Sequence, residues 1–535
     1  RDSAYAVREG GEDEVRIRFR DVASGRDLPD ELEKGRYYSL DLVGDGGRTV
    51  FARQGADGPR VYVRDLGSDA ERLVFGEGYG PEKIVYVAVG NEGRWAAIHV
   101  LEGSAGEKTE LWLLDLASSD PAVPVNTELD ATFHAQVRDG RLYMATNHEA
   151  PNGRVLAVDA TEPRRERWEE IVPEHPEGVI EGVDLWGGRI LVHRLENVQS
   201  RVRVYATSGE DLGGLELGGI GTVAAVQGSW DSPVVYLGFT SFHVPNTTFR
   251  IDLDSGASEV WFRPEVPYDL DDLEVEQIRV ASKDGTLVPV FLVHRKGLTR
   301  DGRRPTVLTG YGGFRASLSP MFSMLALVWA ERGGVYAVAN LRGGGEFGEA
   351  WHQAGMRERK QNTFDDFFAV SEALIERGYT SSERLAIFGG SNGGLLVGAA
   401  MTQRPGLYRA VICTYPLLDM VRYDQFLVAK YWVPEYGSAE DPEQFGWLHA
   451  YSPYHRVTEG VDYPATLFVT GDGDTRVDPL HARKMTALLQ ARSALERPVL
   501  LRYHTDQGHA GGTPAHRQIE DMAELVTFLD WQLGH

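Results

Sequence analysis

A short alternating strand that runs into a turn recurs along the first half of the chain at a near-constant spacing. It reads IRFRDVASG with Asp21, VYVRDLGS with Asp65, LWLLDLAS with Asp115 and VLAVDAT with Asp159. It continues as VRVYATSG, with Ala206 in the aspartate slot, and FRIDLDSG with Asp252. The steps between these positions are 44, 50, 44, 47 and 46 residues. A period of that length holds four short strands and their turns, which is the signature of a β-propeller blade. The aspartate is then expected to cap the passage from strand to turn through its side chain. Earlier strands of matching type occur in GRWAAIHVLEG, GRLYMATNHE and GRILVHRLEN. A β-sandwich could show such spacing only by chance, and six occurrences weigh against it. Six units with a ragged start imply a propeller that is incomplete or longer; the spacing alone does not fix the number of blades.

The stretch RPEVPYDLDDLEVEQ, residues 263 to 277, is rich in proline and acid and breaks the repeat. It reads as a domain junction. At 535 residues the chain is too long for one core, so two domains are expected, 1–265 and 266–535. The second opens with two alternating strands around Asp284-Gly285, a hairpin signal. Short apolar strands then alternate with helices: PTVLTG, VYAVAN, LAIFGG, AVICTY, ATLFVT and PVLLRYH. That order predicts an α/β domain with a largely parallel sheet. A last helix is expected from Thr513-Pro514, with Ile519, Met522, Ala523, Val526 and Leu529 on one apolar face.

Within the second domain, RLAIFGGSNGGLLVGAA predicts a strand over Leu385 to Phe388, a sharp turn, and a helix opening at Gly393. The turn Gly389-Gly390-Ser391-Asn392-Gly393 is a G-x-S-x-G pattern in the strand–turn–helix setting of a nucleophile elbow. Such a turn holds the serine in a strained conformation flanked by small residues. It leaves the next backbone N–H, that of Asn392, facing a developing oxyanion. With 61 glycines in the chain, the pattern by itself is weak. A serine hydroxyl also needs a base, and in this fold the acid and histidine follow in that order on loops after strands. ATLFVT leads into Gly471-Asp472-Gly473-Asp474-Thr475-Arg476, and PVLLRYH into Thr505-Asp506-Gln507-Gly508-His509. His509 is the expected general base and Asp474 its orienting acid. Asp472 and Asp506 remain rivals for the acid, or ordinary turn carboxylates.

Tyr311-Gly312-Gly313-Phe314, the run Asn340-Leu341-Arg342-Gly343-Gly344-Gly345-Glu346-Phe347-Gly348, the elbow, Asp474-Thr475-Arg476-Val477 and Gly508-His509 follow one another in this order. With them the chain resembles the prolyl oligopeptidase family of serine peptidases, over nearly its whole length. The resemblance implies a seven-bladed propeller capping an α/β-hydrolase domain, and cleavage of short peptides on the carboxyl side of proline. It implies that the Tyr311 hydroxyl joins the Asn392 N–H in the oxyanion hole. Trp432, in KYWVPEYG, matches the residue that stacks on the substrate proline. Phe314, Tyr436 and Val477 match other walls of that pocket, with Leu417 and Val428 beside them. Arg476 matches the arginine that holds the carbonyl one residue upstream; its plainer role is a salt bridge to a nearby aspartate. An aromatic, apolar slot suits a compact ring that offers no N–H.

The chain departs from the family in two ways. Aligned by motif, it begins inside the propeller, without a counterpart to the family's N-terminal segment and first blade or two, as a fragment or an incomplete record would. Its one cysteine, Cys413, lies in the second domain and reads as a small buried hydrophobe, so sensitivity to thiol reagents through a propeller cysteine is not expected.

A net charge of −24 disfavours nucleic acid and anionic membrane as partners. No run of 18 apolar residues and no signal peptide are visible. No H-E-x-x-H and no Cys/His cluster calls for a metal, and no cofactor is implied. The expectation is a cytoplasmic, monomeric serine endopeptidase acting on short proline-containing peptides. Export stays open because the chain starts at Arg1 rather than Met. The alternatives are a relative of other specificity (acylaminoacyl, basic-residue or esterase-like) and an inactive propeller that only binds.

Overall fold

A computed structural model describes residues 2–44, 46–104, 106, 108–494, 497–509, 511 and 513–534. Its first half is five successive four-stranded antiparallel sheets, each a blade. The recurring unit is the third strand of every blade: Gly58–Asp65, Lys108–Asp115, Arg154–Asp159, Gln199–Ala206 and Val244–Asp252. The sixth occurrence, Val15–Asp21, is the middle strand of a three-stranded sheet ahead of blade one. That sheet and blade one share the strand Arg26–Val43, which pairs with Val15–Asp21 through its first half and with Arg48–Gly55 through its second. The described residues thus supply five complete blades, where the resemblance implies seven. Each blade uses four strands, and the first recurring unit sits in a sheet of three.

Strand period two dictates how blades stack. Val50 and Ala52 face blade two, where they meet Val85, Val87, Ala96 and Ile98. Phe51, between them, faces the other way onto Ile17, Phe19 and Leu32. The same alternation joins each later blade to the next. The turn aspartates mostly act as the sequence predicts. Asp21, Asp115, Asp159 and Asp252 accept from backbone N–H groups of Ser24, Ala117, Thr161 and Ser255. Asp65 instead takes the Arg48 guanidinium at 2.7 Å, so an ion pair across the hairpin replaces the cap at that position.

The second half holds one eight-stranded sheet. Its strands are β1 (Leu273–Ala281), β2 (Leu287–Arg295), β3 (Thr306–Gly310), β4 (Val335–Ala339), β5 (Leu385–Gly390), β6 (Ala410–Thr414), β7 (Ala465–Gly471) and β8 (Val499–His504). Their order is β1-β2-β4-β3-β5-β6-β7-β8, antiparallel at the β1–β2 and β2–β4 pairings and parallel from β4 onward. All six short apolar runs and the hairpin at Asp284-Gly285 are therefore present. The helices that matter below are α1 (Met324–Glu331), α2 (Glu349–Gln353), α3 (Gln361–Glu376), α4 (Asn392–Gln403) and α5 (Val433–Tyr436).

Both faces of the sheet are buried at its centre, so β3 to β7 are apolar almost throughout, whereas the edge strands β1 and β8 carry Glu274, Glu276, Arg279 and Arg502. Leu385 and Ile387 point to the face that α3 and α4 cover, while Ala386 points to the face of α1 and the C-terminal helix. Cys413 is fully buried in the first of these cores. The C-terminal helix, Ala515–Leu533, begins one residue later than expected, with Pro514 as its N-cap. Its apolar face is also shorter. Val526 and Leu529 are buried, joined by Phe528 and Leu533, whereas Ile519 is 69% exposed and Ala523 is exposed. Met522 is partly buried against the same core, so the helix packs on the sheet from there to its end.

Candidate active site

Every residue singled out for chemistry lies at or beyond the carboxyl end of a parallel strand, where loops leave the sheet. Ser391 follows β5 with φ 57° and ψ −120°. A non-glycine residue in that region costs about 1–3 kcal/mol and persists only where its surroundings impose it. The imposition is visible: a Cβ on Gly389 would lie 2.1 Å from the Gly393 carbonyl oxygen. The Ser391 N–H donates to Thr414 O on β6 at 3.0 Å, which pins the turn to the neighbouring strand. The serine is the N-cap of α4, so the helix's free N–H groups and dipole lie beneath it.

Of the three carboxylates left open in the sequence, Asp474 is the one that reaches His509. Its Oδ2 lies 2.9 Å from His509 Nδ1. Its Oδ1 accepts from the backbone N–H groups of Arg476 at 3.0 Å and Val477 at 2.8 Å. The Asp474 side chain is fully buried and that of His509 is 10% exposed. Asp472 takes the Tyr503 hydroxyl, and Asp506 lies 3.4 Å from Arg517. The flanking glycines allow close approach. A Cβ on Gly508 would fall 2.1 Å from Gly473 O and 2.4 Å from Gly11 O. The acid loop, the histidine loop and the turn between Asp2–Arg8 and Val15–Asp21 thus stack backbone on backbone.

Tyr311 follows β3. Burial pushes its phenol up, while the Ser391 side chain and the Asn392 N–H beside it pull the other way. The Asn392 side chain, a role the sequence did not suggest, braces the site: Nδ2 donates to Tyr311 O at 2.7 Å and Oδ1 accepts from Tyr436 OH at 2.7 Å. An asparagine in the variable place of G-x-S-x-G was the only available signal. Phe314 meets Tyr436 edge-on, with ring centres 5.4 Å apart. Leu417, Val428, Trp432, Tyr436 and Val477 are all buried in one apolar cluster, with Phe314 packed against it. Arg476 donates through Nε and Nη2 to the two Asp13 carboxylate oxygens, at 2.9 and 2.7 Å. Of its two readings, this structure displays the salt bridge, and the partner comes from the propeller side. Among the described residues no group of three or more His, Cys, Asp or Glu side chains could hold a metal, and no helix is long and apolar enough to cross a membrane.

Residues 320–535 match the sequence model of the prolyl oligopeptidase family, and residues 1–264 match that of the prolyl oligopeptidase N-terminal β-propeller domain. The chain belongs to the prolyl oligopeptidase family. It is accordingly a serine-type peptidase. The prolyl endopeptidase of Elizabethkingia meningoseptica is 34% identical over 99% of this chain and 77% of its own length. Prolyl oligopeptidase A of Amanita bisporigera is 30% identical over 95% of this chain and 70% of its own. Among solved structures, one from a study of two prolyl endopeptidases and their inter-domain dynamics superposes with a TM-score of 0.96. It is 39% identical, covering 99% of this chain and 80% of that one. Prolyl oligopeptidase B from Galerina marginata, bound to a 35mer hydrolysis and macrocyclization substrate, gives 0.93 at 28% identity, covering 100% and 78%.

A second set of groups ties the propeller to this prolyl oligopeptidase site. Thr475, next to Asp474, receives the Asp13 N–H at 3.1 Å and donates to Glu14 at 3.0 Å. Arg36 donates to Thr475 O at 3.0 Å. Tyr37 packs edge-on against Tyr431, beside Trp432, with centres 5.8 Å apart. A cavity of about 400 Å³ lies between blades two to four and Arg315, which follows Phe314; Tyr86, His134, Asn147 and Glu181 line it from the propeller side.

Proposed function

We propose that the protein is an endopeptidase that hydrolyses short peptides on the carboxyl side of proline through an acyl-enzyme. Ser391 attacks the scissile carbonyl while His509 takes its proton, and Asp474 holds the imidazole tautomer and its positive charge. The Tyr311 hydroxyl and the Asn392 N–H receive the oxyanion. His509 then protonates the leaving amine, and water repeats the cycle. The observation that carries this reading is the 2.9 Å His509–Asp474 contact beside a serine held at φ 57°. Among the described residues no hydrogen bond joins Ser391 to His509, and such contacts commonly tighten only when substrate is bound.

In this reading residues 1–265 and 266–535 are the two working units. Trp432 stacks on the substrate proline, and Phe314, Tyr436, Val477, Leu417 and Val428 shape the slot around it. Arg476 takes the upstream carbonyl while sharing or releasing Asp13. The propeller admits short unfolded peptides and turns folded proteins away. Support for that comes from how the Asp2–Asp21 hairpin and Tyr37 crowd the catalytic loops and the Trp432 segment. The reading includes a monomer working in the cytoplasm, to which the single buried cysteine is suited.

The test is a panel of chromogenic peptides ending in Gly-Pro, Ala, Arg or Phe, run with fluorophosphonate titration of Ser391. Hydrolysis confined largely to the proline substrate, and lost on labelling, is the expected outcome. Preference for arginine or acylated alanine would move the protein to a relative of other specificity. A serine that never labels would make it a binding protein.

A further inference from the structure

Beneath the turn that carries Tyr311 and Phe314 runs a line of charges that the triad does not use. Arg315 Nε lies 3.4 Å from Glu349 Oε2. Glu349 Oε1 lies 3.4 Å from His352 Nδ1, and His352 Nε2 lies 2.8 Å from Glu435 Oε2. Glu435 Oε1 is 3.5 Å from Lys360 Nζ. His352, Glu435 and Lys360 are each no more than 1% exposed. The signs alternate along the line when the imidazole is protonated.

Both ends of the line act on the turn. Lys360 Nζ donates to Gly312 O at 2.7 Å and sits 5.3 Å over the Tyr436 ring. At the far end Arg315 is itself a residue of the turn. Glu435 directly precedes Tyr436, whose hydroxyl holds the Asn392 amide. The turn needs holding, because Gly312, Phe314 and Arg315 all have positive φ, at 64°, 58° and 54°. Apolar packing of similar volume often serves stability as well as a buried ion pair does. A histidine wedged between two carboxylates therefore calls for an explanation beyond packing.

We propose that His352, held as an imidazolium between Glu349 and Glu435, is a positioning residue that sets the Tyr311–Arg315 turn, and that loss of its charge slackens the turn and slows acylation. The inference rests on the roles given above to Tyr311 and Ser391. Burial alone would push the imidazole down, but the carboxylates of Glu349 and Glu435 outweigh it and raise it to about 8. The groups around it are accounted for. Glu349 faces it from its own helix and Glu435 from α5. Beyond Glu435 lies Lys360, whose ammonium burial pulls down. Beyond Glu349 lies Arg315, and Arg357 is tied to Pro434 O. Because the folded value lies above the ordinary one, the contribution is complete below about 6.5 and is lost as pH rises through about 8.

The experiment measures single-turnover acylation by a chromogenic proline substrate from about pH 6 to about pH 10. It uses the wild type, His352→Gln and Glu349→Gln, each counted by fluorophosphonate titration. Wild-type acylation is expected to fall through a step near pH 8. His352→Gln should acylate roughly 10- to 100-fold more slowly near neutrality, as a misplaced reacting group does. It should also show no step, with kcat lowered more than KM is raised. Glu349→Gln should move the step to lower pH. A His352→Gln enzyme with the wild-type rate and step overturns the proposal. Should that variant not fold, an unmoved step in Glu349→Gln overturns it instead. Failure of the Ser391 reading would appear separately, as a wild type that does not label.

Discussion

The propeller and the hydrolase domain bury apolar strands on the same scale but distribute consequence differently. In the propeller, each blade pairs strands adjacent in sequence and leans on the blade before and after it. Leu237, for instance, is fully buried between blades four and five. No single blade residue is unique in kind, because its equivalent recurs about 46 residues away. In the hydrolase domain, the proposed triad of Ser391, Asp474 and His509 is drawn from the ends of three different strands. There each residue is alone in its role, and the sheet serves to hold them. Repetition spreads stability over many similar contacts, whereas the parallel sheet concentrates function in a few.

The sharpest way to break that contrast is at the triad. Ser391→Ala or His509→Ala should lower kcat by roughly 10⁴-fold or more with little change in the melting temperature. Asp474→Asn should also cost heavily, and Asp472→Asn little. The reverse order for the two aspartates, read from peptide hydrolysis, would show that the 2.9 Å contact is not the functional one.

Leu237→Ala should do the opposite. A large-to-small change at a fully buried site costs about 2–5 kcal/mol, seen in thermal or urea unfolding of the propeller. The acylation rate of the folded fraction should stay close to wild type. If acylation fell in step with stability, the two regions would not be separable in this way.

Trp432→Ala should lie between these extremes. Stacking and burial of a proline ring, about 0.5–1.5 kcal/mol for the aromatic pairing plus roughly 0.8 kcal/mol per methylene, imply a 10- to 100-fold loss in kcat/KM on proline peptides. The loss on alanine peptides should be much smaller. Equal losses would make the tryptophan part of the core alone.

The smallest effect is expected at a blade turn. Asp159→Ala removes an acceptor for the Thr161 N–H and hydroxyl at an exposed site. It should cost about 1 kcal/mol, as single hydrogen bonds do. Asp65→Ala should cost less, since it removes only an exposed, solvent-screened ion pair. A melting comparison of the two would show whether turn capping, rather than charge, is what the repeated aspartate supplies.

What the sequence determined by itself was whatever depends on local period and chain order. The 44- to 50-residue spacing announced blades because a blade is a fixed number of short strands. The alternation of apolar runs with helices announced the parallel sheet. Gly389-Gly390-Ser391 announced the elbow because backbone crowding leaves room only for glycine beside it. Other features were not legible, because they depend on which distant segments meet. The sequence favoured Asp474 but left Asp472 and Asp506 as rivals; their contacts separate only where the β7 and β8 loops converge and one carboxylate turns inward to His509. Ile519 fits a helical apolar stripe, yet no part of the core covers it and it stays 69% exposed. The engagement of Arg476 by Asp13, and the line of charges through His352, join residues up to 463 positions apart. Tertiary structure decided those, because a buried charge can be tolerated only where the fold brings it a partner.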